Sequence, residues 1–247
     1  MSDQLKSFLF AAATCLVCTI SLTAASTGLK TFQQKNMAVD RQKNILKSVG
    51  LIEQNVGYTY EQINRLYADN IKCLWVDSAG SIIEQGQKAK TELPIYLYMK
   101  DDRIESYILP INSRGLWGRI FGYLALKNDG STIAGFTVYK HSETPGLGGE
   151  VEKRWFQKNF AGKKVVDQTG NFLSISIAKG GVKDTVPEKE WTNYVDGISG
   201  ATLTGKYLTT GLRHTLLEYE PVSLKFRTKK LLRLAAGQKS CPGKKDK

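Results

Sequence analysis

Two Gly-rich stretches carry the residue types that suit a phosphate-bearing ligand. The first, "DGISGATLTGKYL" (Asp196 to Leu208), packs Ser199, Gly200, Ala201, Thr202 and Thr204 between an acid and the start of an apolar, helix-like pattern. A helix N-terminus presents unpaired N–H groups and a partial positive charge, which suits a phosphate. Ser and Thr also cap helices with no ligand at all. A hydroxyl here therefore either caps the helix or carries a group, and on chemistry alone Ser199, Thr202 and Thr204 are equally able to attack a phosphate anhydride. The second stretch, "HSETPGLGGE" (His141 to Glu150), is again rich in glycine and hydroxyls and again runs into a helical pattern.

The commoner chemistries lack their residues. The histidines are His141 and His214, no His, Cys and Asp cluster has metal-ligand spacing, and neither a metal site nor a catalytic side chain is expected. There is no G-x-S-x-G and no P-loop, and Gly146 to Gly149 is no dinucleotide fingerprint within a βαβ unit. The formal charge of +12 is concentrated in Lys225 to Lys247, which holds one acid among many bases. That is a charged tail rather than a nucleic-acid face. Cys15 and Cys18 stand in an apolar run as small helix residues, Cys73 reads as core and Cys241 as exposed, so no disulfide framework is expected.

The elements that must position the two loops follow from the pattern. At 247 residues and 41% apolar, the chain can build one core with appendages. Phe8 to Ala25 is uncharged and about as long as the shortest bilayer-spanning helix. It is a membrane anchor or an export signal, and its length, with a polar helix pattern running straight on, favours an uncleaved anchor. Lys30, Lys35, Arg41, Lys43 and Lys47 follow it and only Lys6 precedes it; by the charge rule alone the following domain would be cytoplasmic. Amphipathic helices are expected over residues 37–49 and 59–71, the second behind a Thr59–Gln62 capping box. "KCLWVDSAGSIIE" and "PIYLYMKDDRIESYILPI" read as short strands, and Asp129-Gly130 marks a hairpin. "EVEKRWFQKNF" has helical spacing and "NFLSISIAK" alternates as a strand. Leu203, Tyr207, Leu208, Leu212, Leu216 and Tyr219 mark one face of a final helix. The expected class is α+β, with an antiparallel sheet flanked by helices behind a single N-terminal membrane helix.

"RGLWG" (Arg114 to Gly118), the hairpin, "ETPGLG" (Glu143 to Gly148) and "DGISGAT" (Asp196 to Thr202), in this order behind an anchor, resemble the FMN-binding domain of the C subunit of the Na+-translocating NADH:quinone oxidoreductase. The resemblance implies that a flavin transferase esterifies Thr202 with the phosphate of FMN taken from FAD. It also implies that Ser199, Gly200, Ala201, Leu203 and Thr204 surround that phosphate. Thr144, Gly146 and Leu147 line the same pocket, Thr144 and Leu147 as contacts. Glu143 is a helix-start acid or a donor-orienting group, and Asp196 either touches the flavin or is read by the transferase.

The implied role is electron transfer beside the A, B, D, E and F subunits of a six-subunit complex, with Na+ translocation left to the integral membrane partners. The implied location is the bacterial inner membrane: residues 1–30 as anchor in the lipid bilayer, 31–224 as a periplasmic FMN-binding domain and 225–247 as a basic tail. No nucleic-acid partner is implied. The tail, with Leu231, Leu232 and Leu234, departs from the family pattern and suits a lipid or partner contact. The alternatives are the G subunit of an Rnf-type complex, a free-standing anchored flavoprotein, or a basic binding module that would be colourless.

Overall fold

The computed structural model describes residues 2–53, 56–83 and 92–229. The chain divides into two compact units, Met1–Asp40 and Arg41–Lys247. The first is part of a single helix, α1 (Asp3–Ser48), which is long and apolar enough to cross a membrane. Phe8, Phe10, Leu16, Ile20 and Leu22 project outward along it. Thr14 and Thr19 return their hydroxyls to the carbonyls four residues back, which spares an apolar surrounding two unpaired donors. Cys15 and Cys18 are free thiols on this helix. The boundary expected at residue 30 falls inside α1, which has no Gly or Pro signal strong enough to stop it before Ser48.

The second unit is built on a six-stranded antiparallel sheet in the order β2-β1-β3-β4-β5-β6. The strands are β1 (Ile71–Val76), β2 (Ile82–Ile83), β3 (Leu93–Lys100), β4 (Arg103–Arg114), β5 (Arg119–Lys127) and β6 (Ile133–Lys140). Ahead of β1, α2 (Tyr60–Asn70) begins on the expected box: the Thr59 hydroxyl accepts from Gln62 N–H and the Gln62 side chain accepts from Thr59 N–H. Asp101 and Asp102 link β3 to β4 at φ 48° and 57°, a turn whose twist suits a two-residue hairpin. Asp129 and Gly130 link β5 to β6, with Gly130 at φ 68° and Asp129 Oδ1 accepting from Ser131 and Thr132 N–H.

After β6 the regular pattern loosens. The stretch expected as one helix is broken into α3 (Arg154–Gln157) between two 3-10 turns, because Lys153 is extended at φ −79°, ψ 144°. The expected strand in "NFLSISIAK" shrinks to β7 (Ser176–Ile177), which pairs in parallel with β8 (Tyr194–Val195). Ser174 sits at φ 88°, and both Leu173 and Ser174 donate to the Val165 carbonyl, so the alternation is interrupted there. Between β7 and β8 lies the single turn α4 (Val182–Thr185).

α5 (Thr202–Glu218) then lies across β4, buried through Leu208, Leu212 and Leu216. The approach is so close that a Cβ on Gly211 would collide with the Ser113 side chain. Leu203, expected on the buried face, is 50% exposed instead. α5 is not the last helix. α6 (Glu220–Arg227) follows, its Phe226 ring stacked on Tyr107 at 4.2 Å between centroids, and Arg227 held by Glu220 at 2.8 and 2.9 Å. The packed domain therefore runs past the expected limit at 224, because the basic residues at the start of the tail close a helix rather than leave one. Cys73 is buried as expected but is disulfide-bonded, which the spacing of the cysteines did not signal. The expectations for Leu231, Leu232, Leu234 and Cys241 fall outside the described residues.

Candidate functional site

The N-terminus of α5 is where the two Gly-rich loops meet. Gly200 turns the chain at φ 72°, Ala201 occupies the N-cap position at φ −123°, ψ 35°, and no side chain caps the helix. Ala201 N–H is taken by the Ile198 carbonyl, and Gly205 N–H makes the first helical bond, to Ala201 O. By helix geometry the N–H groups of Thr202, Leu203 and Thr204 have no intrahelical acceptor, which leaves them for a ligand or solvent. Ser199, one of the three candidate hydroxyls, is exposed and lies two residues before the N-cap position, because the left-handed turn at Gly200 intervenes before the helix begins.

The three hydroxyls now differ. Thr202 is exposed at the first helical position. Thr204 is 1% exposed, and its hydroxyl donates to Glu143 Oε2 at 2.5 Å. Two residues on a helix are about 200° apart around its axis, which sends one threonine outward and the other into the core.

The second loop supplies the opposite wall. Thr144, Pro145, Gly146 and Leu147 form a turn in which Leu147 N–H donates to Thr144 O and Gly146 takes φ 75°, the arrangement expected of Pro then Gly at its centre. Leu147 is brought onto the first loop: a Cβ on Gly200 would meet Leu147 Cδ2 at 2.7 Å. Glu143 points the other way, buried, with Trp117 N–H donating to its Oε1 at 2.9 Å. Burial works against its charge, but the Thr204 hydroxyl and the N–H groups of Trp117, Leu116 and Gly118 outweigh it and hold the carboxyl below the usual range. Asp196 is separately engaged: its Oδ1 accepts from Val182 N–H at 2.7 Å, at the edge of a cavity of about 440 Å³ that Lys163 and Trp191 also line.

The third segment was visible in the sequence only as a motif. Residues 115–118 close the β4–β5 hairpin, with Gly115 N–H on Gly118 O, and leave Trp117 71% exposed. Leu116, Leu147 and Leu203 are exposed too, so each of the three segments presents an apolar side chain to the outside. A bulky indole in a tight hairpin turn was the signal available for Trp117. His214, by contrast, is an exposed partner of Glu218 and takes no part.

These segments fall within residues 115–216, which match the family model described as FMN-binding domain. The C subunit of the Na(+)-translocating NADH-quinone reductase of Pseudomonas aeruginosa is 34% identical over 231 residues, covering 81% of this chain and 87% of that protein. Its counterpart from Neisseria meningitidis serogroup B is 35% identical over 216 residues, covering 77% and 81%. The crystal structure of the same subunit from Parabacteroides distasonis superposes with a TM-score of 0.66 at 30% identity, over 79% of this chain and 96% of that one. At 22% identity and a TM-score of 0.64, the Shewanella oneidensis structure agrees in fold. The chain belongs to the family of C subunits of the Na(+)-translocating NADH-quinone reductase.

Proposed function

We propose that this chain carries FMN through a phosphoester to Thr202 and passes electrons within a membrane-bound, Na+-translocating NADH:quinone reductase. The observation that carries the reading is the N-terminus of α5, where an exposed threonine hydroxyl stands beside uncapped N–H groups while the neighbouring Thr204 is sealed in the core. A phosphate fits such a place, since the N–H donors and the helix dipole both favour it. FMN supplies the redox chemistry; the protein supplies attachment and surroundings. Thr202, Leu203 and Thr204 offer main-chain donors, Gly200 and Ala201 keep the approach open, and Leu147 and Thr144 border the flavin.

A visible spectrum of the purified chain after denaturation and precipitation tests this. A flavin that stays with the pellet is expected; a colourless pellet with free flavin in the supernatant overturns the attachment.

The chain from residue 31 onward belongs, on this reading, in the periplasm, with the apolar Phe8–Ala25 part of α1 in the bilayer and the A, B, D, E and F subunits as partners. The disulfide-bonded Cys73 supports it, because such bonds persist in oxidising compartments. An exported flavin transferase also needs Thr202 on that side. The lysines after the anchor argue the other way, but the charge rule is a bias rather than a constraint. Alkaline phosphatase fused to the C-terminus is expected to be active and a cytoplasm-only reporter inactive; the reverse pattern contradicts the topology.

A further inference from the structure

The Glu143 carboxylate is buried and hydrogen-bonded from two sides of the site. It is 5% exposed and is surrounded by three chain segments: the 115–118 turn, its own loop and the first turn of α5. Trp117 N–H donates to Oε1, the Thr204 hydroxyl donates to Oε2, and Leu116 and Gly118 N–H also face it. Of the roughly four acceptor positions of a carboxylate, two are thus filled by hydrogen bonds from two different segments. Its main chain is fixed as well, since Glu143 N–H donates to His141 Nδ1 at 3.1 Å while His141 Nε2 lies 3.2 Å from Glu152 Oε2.

Two glycines stand against the same carboxylate, and Gly115 also against the Gly118 carbonyl, which a Cβ there would approach to 2.9 Å. A Cβ on Gly115 would lie 2.5 Å from Glu143 Oε1; one on Gly148 would lie 2.6 Å from Glu143 Oε2 and 2.6 Å from Thr204 Oγ1. Neither glycine has a positive φ, whereas Gly146 and Gly200 do. At Gly115 and Gly148 the requirement is therefore space, not backbone conformation.

We propose that Glu143 is a positioning residue whose buried carboxylate ties the 115–118 turn to the first turn of α5, and that Gly115 and Gly148 are glycines to make room for it. The tie holds Trp117 and the end of α5 in one fixed relation. That this end carries a flavin rests on the proposed function; the tie itself does not.

Amide hydrogen exchange at Leu116, Trp117 and Gly118, read in the full chain in detergent, tests the tie. Thr204→Val removes the donor from the α5 side, and exchange at these three amides is expected to rise about tenfold or more, while Thr204→Ser returns it to within about threefold of the native rate. Gly148→Ala, which displaces the carboxylate, is expected to act like Thr204→Val. Native-like exchange in Thr204→Val, or an equal loss in Thr204→Ser, overturns the proposal. Should Thr204→Val fail to fold, Glu143→Gln decides, since it keeps the size and loses acceptor capacity: faster exchange supports the tie and unchanged exchange overturns it. The same series in a Thr202→Val background separates the two readings. Acceleration there is expected unchanged, and acceleration seen only with a flavin attached means that the flavin, not Glu143, holds the turn. A flavin retained in Thr202→Val would refute the attachment reading and leave the exchange result standing.

Discussion

Thr202→Val is expected to give a folded chain with no covalent flavin, and Thr204→Val one that keeps it. Valine preserves the shape of threonine and removes the side chain's only oxygen, so the loss expected at position 202 is complete rather than partial. The fold is expected to tolerate it, because Thr202 is exposed and caps nothing, and such surface changes usually stay within about 0.5 kcal/mol. Thr204 already spends its hydroxyl on Glu143 inside the core, where a transferase has no access to it. Ser199 is exposed but lies before the Gly200 turn, away from the uncapped N–H groups, and Ser199→Ala is expected to retain the flavin. In-gel flavin fluorescence of the three variants reads the outcome, and a fluorescent Thr202→Val band would contradict it.

Phe226→Ala is expected to cost the domain about 3–5 kcal/mol, a large part of the roughly 5–15 kcal/mol that holds a typical domain together. Phe226 is buried, and its ring lies parallel to that of Tyr107 with 4.2 Å between centroids, while the Tyr107 hydroxyl is bonded to Ser223 one turn earlier in α6. The substitution therefore opens a cavity under the sheet and strips one face from a buried tyrosine. Leu224, on the exposed side of the same helix, provides the contrast: Leu224→Ala is expected to cost less than about 1 kcal/mol. Urea unfolding of both variants distinguishes a packed α6 from a loosely attached one, and equal midpoints would place Phe226 outside the core.

Where the sequence was legible, a local rule and the global fold agreed. Thr59 and Gln62 form the capping box, Asp129-Gly130 turns β5 into β6, and the short apolar runs read as strands form one antiparallel sheet. The glycine and hydroxyl content of residues 196–204 did mark a helix N-terminus. Three errors came from long-range packing that spacing does not encode. Leu203 continues the helical stripe in sequence, yet it lies on the outward turn of α5 beside Thr202 and stays exposed. Lys225 and Arg227 read as the start of a charged tail, but Arg227 is neutralised by Glu220 and also donates to the Gly130 carbonyl, so α6 closes against the β5–β6 turn. Ser174 looks like any strand residue until the Val165 carbonyl draws two successive N–H groups and twists the chain there. Within the site, Thr202 and Thr204 were separable by helix phase alone. The engagement of Glu143 was not, because its donors come from residues 116–118 and 204, distant in the chain on both sides.

Peptide mass spectrometry of the native chain, expressed with its flavin transferase, tests the attachment most directly. Fragment ions spanning Asp196 to Lys206 are expected to place the FMN increment on Thr202, with Ser199 and Thr204 unmodified. An increment on Thr204 or Ser199, or an unmodified peptide from a flavin-bearing chain, would contradict the assignment.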